Sequence, residues 1–479
     1  MAKFNVIVIG AGAVGSAVAR ELSKYELSVA VVEKSLDIGG DASRSNSAII
    51  HTGYDASPGS LESQLVVAAN PMYPVLTQEL DIPFRRVGAI LPAVTEEQAA
   101  SLPAIKHKAF MNHVYDVEYV SRERLLELEP EVNPAAFGGL YIPRESIIDP
   151  FLLVVALAEN AYDNGVQFFT NTKATGIKVE DGCVRGVMTD RGFMEADFVV
   201  NAAGLYCDEV ARMVGVDDFT VNPRKGQFYI MDKNAACNVS RIVLPVPTKL
   251  TKGKLAAPTI HGNMLIGPTA EDLTDKTDKA TTRAGLDEVI EGVKKLIPNV
   301  NAADTITQYA GLRPNRNPEG LRLEFYDHAK GFVGLSGVRS TGVTASVSLG
   351  KYLAEAMFER GLPSKLKENF NPRRVGIKKF ASLSEAEQRE LIQENPRYGH
   401  VICRCETVTE AEIVEAIRRP LGAKTLDGVK RRVWAGAGRC QGGFCGPRVI
   451  EILARELGIS VDQVCKDSSG SALTAGKAR

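Results

Sequence analysis

Long apolar runs are missing from this sequence. The longest candidate, Phe151 to Ala158, falls well short of the ~18 residues a bilayer-spanning helix needs, so it reads as a core element and no transmembrane segment is expected. Charge of one sign is missing as well. The 57 Lys and Arg against 58 Asp and Glu leave a formal net charge of -1, which gives no electrostatic case for a nucleic-acid partner. Cysteine is sparse: eight in 479 residues do not make a disulfide scaffold. The opening lacks the basic-then-apolar layout of a signal peptide. Lys3-Phe4-Asn5-Val6 leads directly into a strand, and a cytoplasmic location is expected. Internal repeats are absent. What remains, 44% apolar and 24% charged residues, is ordinary for a globular protein. The length is too great for one core, so two or three domains are expected.

The few cysteines are unevenly placed. Cys403-Arg404-Cys405 and Cys440-x4-Cys445 form a C-x-C and C-x4-C framework near the C-terminus. In a reducing compartment such clusters bind metal more often than they form disulfides. Four thiolates can hold a [2Fe–2S] cluster or a structural Zn²⁺. Zinc sites usually show two C-x2-C-like knuckles, and this spacing departs from that. His400, three residues before Cys403, is read as a bystander because four cysteines suffice. Cys183, Cys207, Cys237 and Cys465 are scattered and read as small core hydrophobes.

At the other end, Val6-Ile7-Val8-Ile9 reads as a parallel strand buried on both faces. Gly10-x-Gly12-x-x-Gly15 follows, then a helical stretch to about Tyr25 and a second strand from Ser28 to Val32 that ends at Glu33. Gly10 permits a tight turn, Gly12 lets a pyrophosphate approach the backbone, and Gly15 lets helix and strand pack closely. The helix N-terminus offers free N–H groups to phosphates, and Glu33 can accept hydrogen bonds from ribose hydroxyls. The motif does not distinguish FAD from NAD. A single copy favours a flavoenzyme that oxidises its substrate directly, since a reductase docking NAD(P)H usually needs two.

Three later segments are expected to complete a flavin domain. Asp197 to Gly204 is a buried strand ending in small residues, where the backbone at Ala202 and Gly204 can approach a dinucleotide. Thr305 to Arg313 alternates towards Gly311-Leu312-Arg313-Pro314. Gly331 to Gly337 is a last strand that runs through Ser340-Thr341-Gly342-Val343-Thr344 into a helix ending near Arg360. A glycine-flanked turn opening a helix can place N–H groups against the flavin ring.

These residues resemble the D-amino-acid-oxidase-like flavoprotein superfamily, and within it the FAD-dependent glycerol-3-phosphate dehydrogenases and oxidases. Ser43-Arg44-Ser45-Asn46-Ser47-Ala48-Ile49-Ile50-His51-Thr52-Gly53-Tyr54, followed by Pro58-Gly59-Ser60-Leu61, resembles the segment that runs beneath the flavin in that family. L-2-hydroxyglutarate oxidases share a close version of it. The cysteine region, with Gly438 to Pro447 ending the motif, resembles the bacterioferritin-associated-ferredoxin-like [2Fe–2S] module. The anaerobic glycerol-3-phosphate dehydrogenase flavoprotein subunits pair the same two modules. The resemblance implies an α/β and α+β architecture: a Rossmann-like FAD-binding domain interleaved with a mostly antiparallel substrate domain, plus a small helical [2Fe–2S] domain. It places the substrate part at roughly 75–140 and 215–305, and the polar, Pro-containing stretch from Gly361 to Arg374 ends the oxidoreductase domain, taken as 1–370. A connector follows at 371–397, the cluster domain at 398–465, and a disordered tail at 466–479.

The resemblance also implies site residues. Lys34, Ser43 and Asn46 join the glycines and Glu33 as FAD contacts, with Gly337 near the flavin-side turn. Oxidation of a secondary alcohol needs a base for the hydroxyl proton and a flavin for the hydride. His51 is the best candidate base among six histidines, because it lies in the segment expected beside the flavin ring. Imidazole also titrates near neutrality when unperturbed. His261 reads as a hairpin-turn residue and a weak competitor; His107, His113 and His328 lack supporting context. An anionic substrate needs fixed positive charge, and the planar fork of Arg313 suits phosphate or carboxylate. The resemblance adds Ser47, Ser340 and a lysine in Lys252-Gly253-Lys254, of which Lys252 is favoured. Arg339 stands where relatives often have an uncharged or acidic residue. The leading expectation is an FAD-dependent glycerol-3-phosphate dehydrogenase that passes electrons through a [2Fe–2S] cluster. They would go to an acceptor protein or quinone pathway, at the inner face of the membrane through a partner. The alternatives are a 2-hydroxyacid dehydrogenase acting on L-2-hydroxyglutarate and a non-catalytic electron-transfer subunit.

Overall fold

The computed structural model describes residues 3–247 and 253–474. Its first sheet is built on the strand Phe4–Ile9, whose side chains are almost all buried. Val29–Val32 pairs parallel to it on one side and Gly192–Asn201 on the other. Gln167–Phe169 and Phe332–Ser336 extend the two edges, again parallel. The central pair, Phe4–Ile9 and Val29–Val32, is almost entirely buried, as suits strands covered on both faces. Helix Ala13–Leu22 packs against Gly342–Phe358 and Pro150–Asp163. The run Phe151 to Ala158 falls in the last of these, with Leu153 to Ala158 buried. Asp149 caps that helix, accepting from the N–H groups of Phe151 and Leu152.

The second sheet has nine strands and is mostly antiparallel. Thr220–Met231 and Thr305–Asn317 pair along their length, from Thr220 opposite Asn317 to Met231 opposite Thr305. The Thr305–Asn317 strand was expected to complete the flavin domain; its pairing places it in this second sheet instead. Much of it is only half-buried, as suits a sheet with one covered face. Its middle, at Gly311 and Arg313, still borders the dinucleotide side.

The C-terminal module is a hairpin (Val401–Cys403 with Val408–Thr409) and three helices, Glu410–Arg418, Leu426–Val433 and Gly446–Leu457. A capping box opens the first of these helices: Thr409 accepts from the Glu412 N–H, and the Glu412 carboxylate accepts from the Thr409 N–H. Pro447 sits in the first turn of the last helix. The segment 371–397 packs tightly. Arg374 is buried against Glu159 at 2.5 Å, and Phe380, Leu391 and Tyr398 form a small core with Ala411. The tail differs from expectation through residue 474. Asp467 pairs with Arg44 at 2.5 Å and Arg431 at 3.2 Å, and Lys466 pairs with Asp427 at 2.9 Å. Ion pairs order a segment that has no apolar period to reveal it. Among the described residues no helix is long and apolar enough to cross a membrane.

Candidate active site

The glycine turn after Phe4–Ile9 is a cradle that side chains would fill. Gly10 has φ +106, and a Cβ there would lie 2.6 Å from Ala202 O. A Cβ on Gly12 would lie 2.9 Å from Ser43 Oγ, and one on Gly15 would overlap Gly10 O. The helix Ala13–Leu22 has no side-chain cap from its N-cap residue, so the positive end of its dipole faces the turn. Glu33 lies at the end of the second strand. Its Oε2 accepts from Ala11 N–H at 2.8 Å and its Oε1 from Ser35 N–H at 2.8 Å. Ser43 Oγ accepts from Ala13 N–H at 2.9 Å. The Lys34 ammonium rests 3.3 Å from the centroid of the Tyr206 ring. This cradle opens into a cavity of about 1210 Å³. Its shape and donors fit an extended dinucleotide.

The cavity brings most of the expected residues together. Its wall includes Gly10, Gly12, Glu33, Lys34, Ser43 and Asn46 at one part, with Ala202 and Gly204 beside them. Ser47, His51, Gly311, Arg313, Ser340, Thr341, Gly342 and Val343 line it further along. Gly15, Gly337 and Thr344 stand behind the wall. Gly337, at φ +73, allows close passage of Gly320, and Thr344 Oγ1 accepts from the His51 N–H at 3.0 Å. Lys252 lies outside the described residues. Lys254, the other lysine considered, pairs with Glu288 and is 9% exposed.

His51 is held by a residue that sequence reasoning missed. Glu145, with a 0% exposed side chain, places Oε2 2.9 Å from His51 Nδ1. Its Oε1 accepts from Thr52 N–H at 2.7 Å and Thr52 Oγ1–H at 2.9 Å. The carboxylate therefore fixes the ring with Nδ1 as donor and leaves Nε2 as acceptor. The available signal was a charge, Glu145, set among the apolar positions Ile142, Ile147 and Ile148.

Positive charge gathers elsewhere in the same cavity. Arg313 donates from Nη2 to Thr269 O at 2.8 Å and from Nε to Arg224 O at 3.4 Å. Among the described residues it has no carboxylate partner within salt-bridge distance. Burial, then the charges of Arg224 and Arg339 against a weaker pull from Asp272, push its guanidinium down to about 10. It remains charged at neutral pH, in a setting where a bound anion relieves repulsion. Arg224, also missed, is held in a two-pronged pair by Asp272 at 2.6 and 2.7 Å.

The four clustered cysteines converge in the C-terminal module. Cys403 and Cys445 are buried, Cys440 is half-buried and Cys405 is exposed. They contact in pairs, Cys403 with Cys445 and Cys405 with Cys440. A hydrogen bond from Cys445 draws the Cys403 thiol down to about 6; burial opposes this, and the N–H groups of Gly436 and Glu406 reinforce it. Cys440 is lowered by the Phe444 N–H, with Gly442 adding to the effect against burial. Backbone donors aimed at sulfur are what an iron–sulfur cluster uses to tune its potential. Among the described residues no three metal-binding side chains close around a single ion. The two-and-two arrangement fits a two-iron cluster, which spreads four ligands over two metals. Of the scattered cysteines, Cys207 and Cys237 are buried and Cys183 and Cys465 half-buried.

Fold and site together define a flavin-dependent oxidoreductase joined to an iron–sulfur module. Residues 5–356 match the family model for FAD dependent oxidoreductases, and the chain belongs to that family. Residues 401–455 match the BFD-like [2Fe-2S] binding domain. The chain is 42% identical to a glycerol 3-phosphate dehydrogenase of Caloramator mitchellensis over 473 residues, 99% of this chain and 98% of that one. It is 26% identical to an anaerobic glycerol-3-phosphate dehydrogenase component of Escherichia coli K12, covering 94% of this chain and 88% of the other. Among solved structures, dithionite-reduced L-alpha-glycerophosphate oxidase from Mycoplasma pneumoniae, with FAD bound, superposes with a TM-score of 0.73. That match is 30% identical and covers 78% of this chain and 99% of the oxidase.

Proposed function

We propose that this chain oxidises sn-glycerol 3-phosphate to dihydroxyacetone phosphate. FAD bound along the glycine cradle supplies a hydride acceptor, and a [2Fe–2S] cluster on the four cysteines supplies one-electron transfer. The protein's own residues do the rest. His51 Nε2 takes the hydroxyl proton, and the imidazolium that forms faces the Glu145 carboxylate, 2.9 Å from Nδ1. Arg313 receives the phosphate, with Arg224 and Arg339 raising the local positive potential. Ser47 and Ser340 line the same cavity and offer hydroxyls, and Lys252 is the further phosphate ligand proposed. Electrons leave to an acceptor protein or quinone pathway, and a cytoplasmic position at the inner face of the membrane through such a partner goes with this reading.

One observation carries the proposal: an oriented His51–Glu145 pair opens into the same cavity as a guanidinium that lacks a carboxylate partner among the described residues. A protein that only relayed electrons would need neither. The test is an anaerobic absorbance spectrum of the purified protein before and after adding sn-glycerol 3-phosphate. Bleaching of the flavin bands is expected. Flavin left oxidised by this compound but bleached by L-2-hydroxyglutarate would transfer the site to a 2-hydroxyacid. Flavin left oxidised by both would reduce the chain's role to electron transfer.

A further inference from the structure

We infer that Trp434 and His261 form the electron-tunnelling contact between the flavin cavity and the cysteine site. The inference needs both cofactors but not the identity of the substrate. Trp434 is the only tryptophan of the chain. It ends the helix Leu426–Val433 with φ 67 and ψ 7, a left-handed conformation that glycine or asparagine usually takes and in which a bulky side chain is an outlier. Its ring stacks on His261 with centroids 3.7 Å apart and planes at 20°. Phe151 flanks it at 5.6 Å. Among the described residues its indole Nε1 is buried without a hydrogen-bond partner. Phenylalanine would keep an aromatic face against His261 with no orphaned donor, so apolar packing does not by itself call for an indole here.

The stack sits on a continuous path. On the module side, one residue, Ala435, separates Trp434 from Gly436, whose N–H is directed at the Cys403 sulfur. On the other side, His261 Nε2 lies 2.9 Å from Asp149 Oδ2. Ile148, the residue before Asp149, donates its N–H to Ala48 O at 3.1 Å. Ala48 directly follows Ser47 in the cavity wall and stands three residues before His51. Every step from cavity wall to Cys403 is a covalent bond, a hydrogen bond or a ring stack. Electronic coupling decays less along such a path than across a solvent gap.

Each transfer moves a single electron. Flavin reduced by two electrons loses one electron per transfer and releases its protons to water. The cluster gains that electron, going from two ferric ions to one ferric and one ferrous. An external one-electron acceptor, protein or quinone, removes it before the second transfer. Trp434 and His261 neither form nor break bonds.

The test uses the protein carrying both cofactors under anaerobic conditions, with the flavin photoreduced by a light pulse in the presence of EDTA, which is the sacrificial electron donor in place of substrate. The electron paramagnetic resonance signal of the reduced cluster is followed in time. Trp434→Leu is expected to delay that signal roughly tenfold or more through loss of contact geometry, with flavin and iron content and the signal's g-values as in wild type. Trp434→Phe should recover part of the rate. His261→Gln, which keeps a donor for Asp149 but loses the ring, should slow it in the same direction. A cluster reduced as fast in Trp434→Leu as in wild type overturns the inference. If that variant loses iron, His261→Gln decides, and a wild-type rate there overturns it equally. Because light replaces substrate, a wrong assignment of glycerol 3-phosphate leaves this result intact.

Discussion

Glu145→Gln tests the base directly. Glu145 Oε1 accepts from two groups of Thr52, at 2.7 and 2.9 Å, and Oε2 faces His51 Nδ1 at 2.9 Å. Glutamine has nearly the same volume, so the fully enclosed site needs no repacking. Its amide oxygen stays with the Thr52 N–H and hydroxyl, since that side offers two donors. Its amide nitrogen then faces Nδ1, which must switch from donor to acceptor. The ring proton moves to Nε2, and the lone pair that takes the substrate proton is gone. The charge-assisted hydrogen bond lost with it is worth about 1.5–3 kcal/mol. At ~1.4 kcal/mol per factor of ten, flavin reduction slows roughly tenfold to a hundredfold. FAD content and substrate affinity should hold, because Glu145 touches neither the glycine cradle nor Arg313. Anaerobic stopped-flow bleaching at saturating glycerol 3-phosphate measures the rate. A wild-type rate in Glu145→Gln would refute the assignment of His51 Nε2 as proton acceptor.

Two further expectations follow from packing and charge. Burial alone would raise the Asp37 carboxyl, but Arg432 and Arg431 overcome it and hold the group at about 2, below the ordinary 3.8; the difference is worth about 2 kcal/mol of stability. That stability is present above pH 3.8 and is lost as pH falls towards 2, so the melting temperatures of wild type and Asp37→Asn should converge below about pH 4; a gap independent of pH would contradict the pairing. Gly311→Ala places a methyl group onto Ser45 O and should displace the Ser45–Ser47 segment; purified protein should then carry less flavin per chain, and full flavin content would show that the segment yields without cost.

The sequence disclosed what depends on local spacing. The glycine turn, Glu33 and the two cysteine pairs are short-range patterns; the structure sets the first two on one cavity wall and brings the four thiols into contact in pairs. What was hidden depends on distant segments meeting. Glu145 is 94 residues from His51, and nothing in its neighbourhood names its partner. Arg224 reaches Arg313 only because two long strands pair in a register set by the whole sheet. The strand Thr305–Asn317 carried alternation that belongs to either sheet until Thr220–Met231 claimed it. The ordering of residues 466–474 was invisible for a related reason: ion pairs with Arg44 and Arg431 leave no periodicity behind.

The junction between the two modules has a logic of its own. Asp37 lies four residues after Glu33, in the loop that leaves the second strand, and takes both Arg431 and Arg432. Arg44, one residue beyond Ser43, takes Asp467. Glu159 takes Arg374 from the connector and Arg419 from the module. Burying such charges yields little net stability, since desolvation offsets most of the attraction, yet removing one partner is costly. Pairs of this kind therefore select one docked geometry more than they strengthen it. A transfer between two redox centres needs that selection, because its rate depends steeply on their separation and orientation. The helix Leu426–Val433 carries both Arg431 and Arg432, and Trp434 is its next residue. The ion pairs that seat this helix on the dinucleotide loop therefore also set where the tryptophan meets His261. Asp37→Asn should for that reason slow cluster reduction even at neutral pH, where the fold persists, and a cluster reduced at the wild-type rate in that variant would separate docking from transfer.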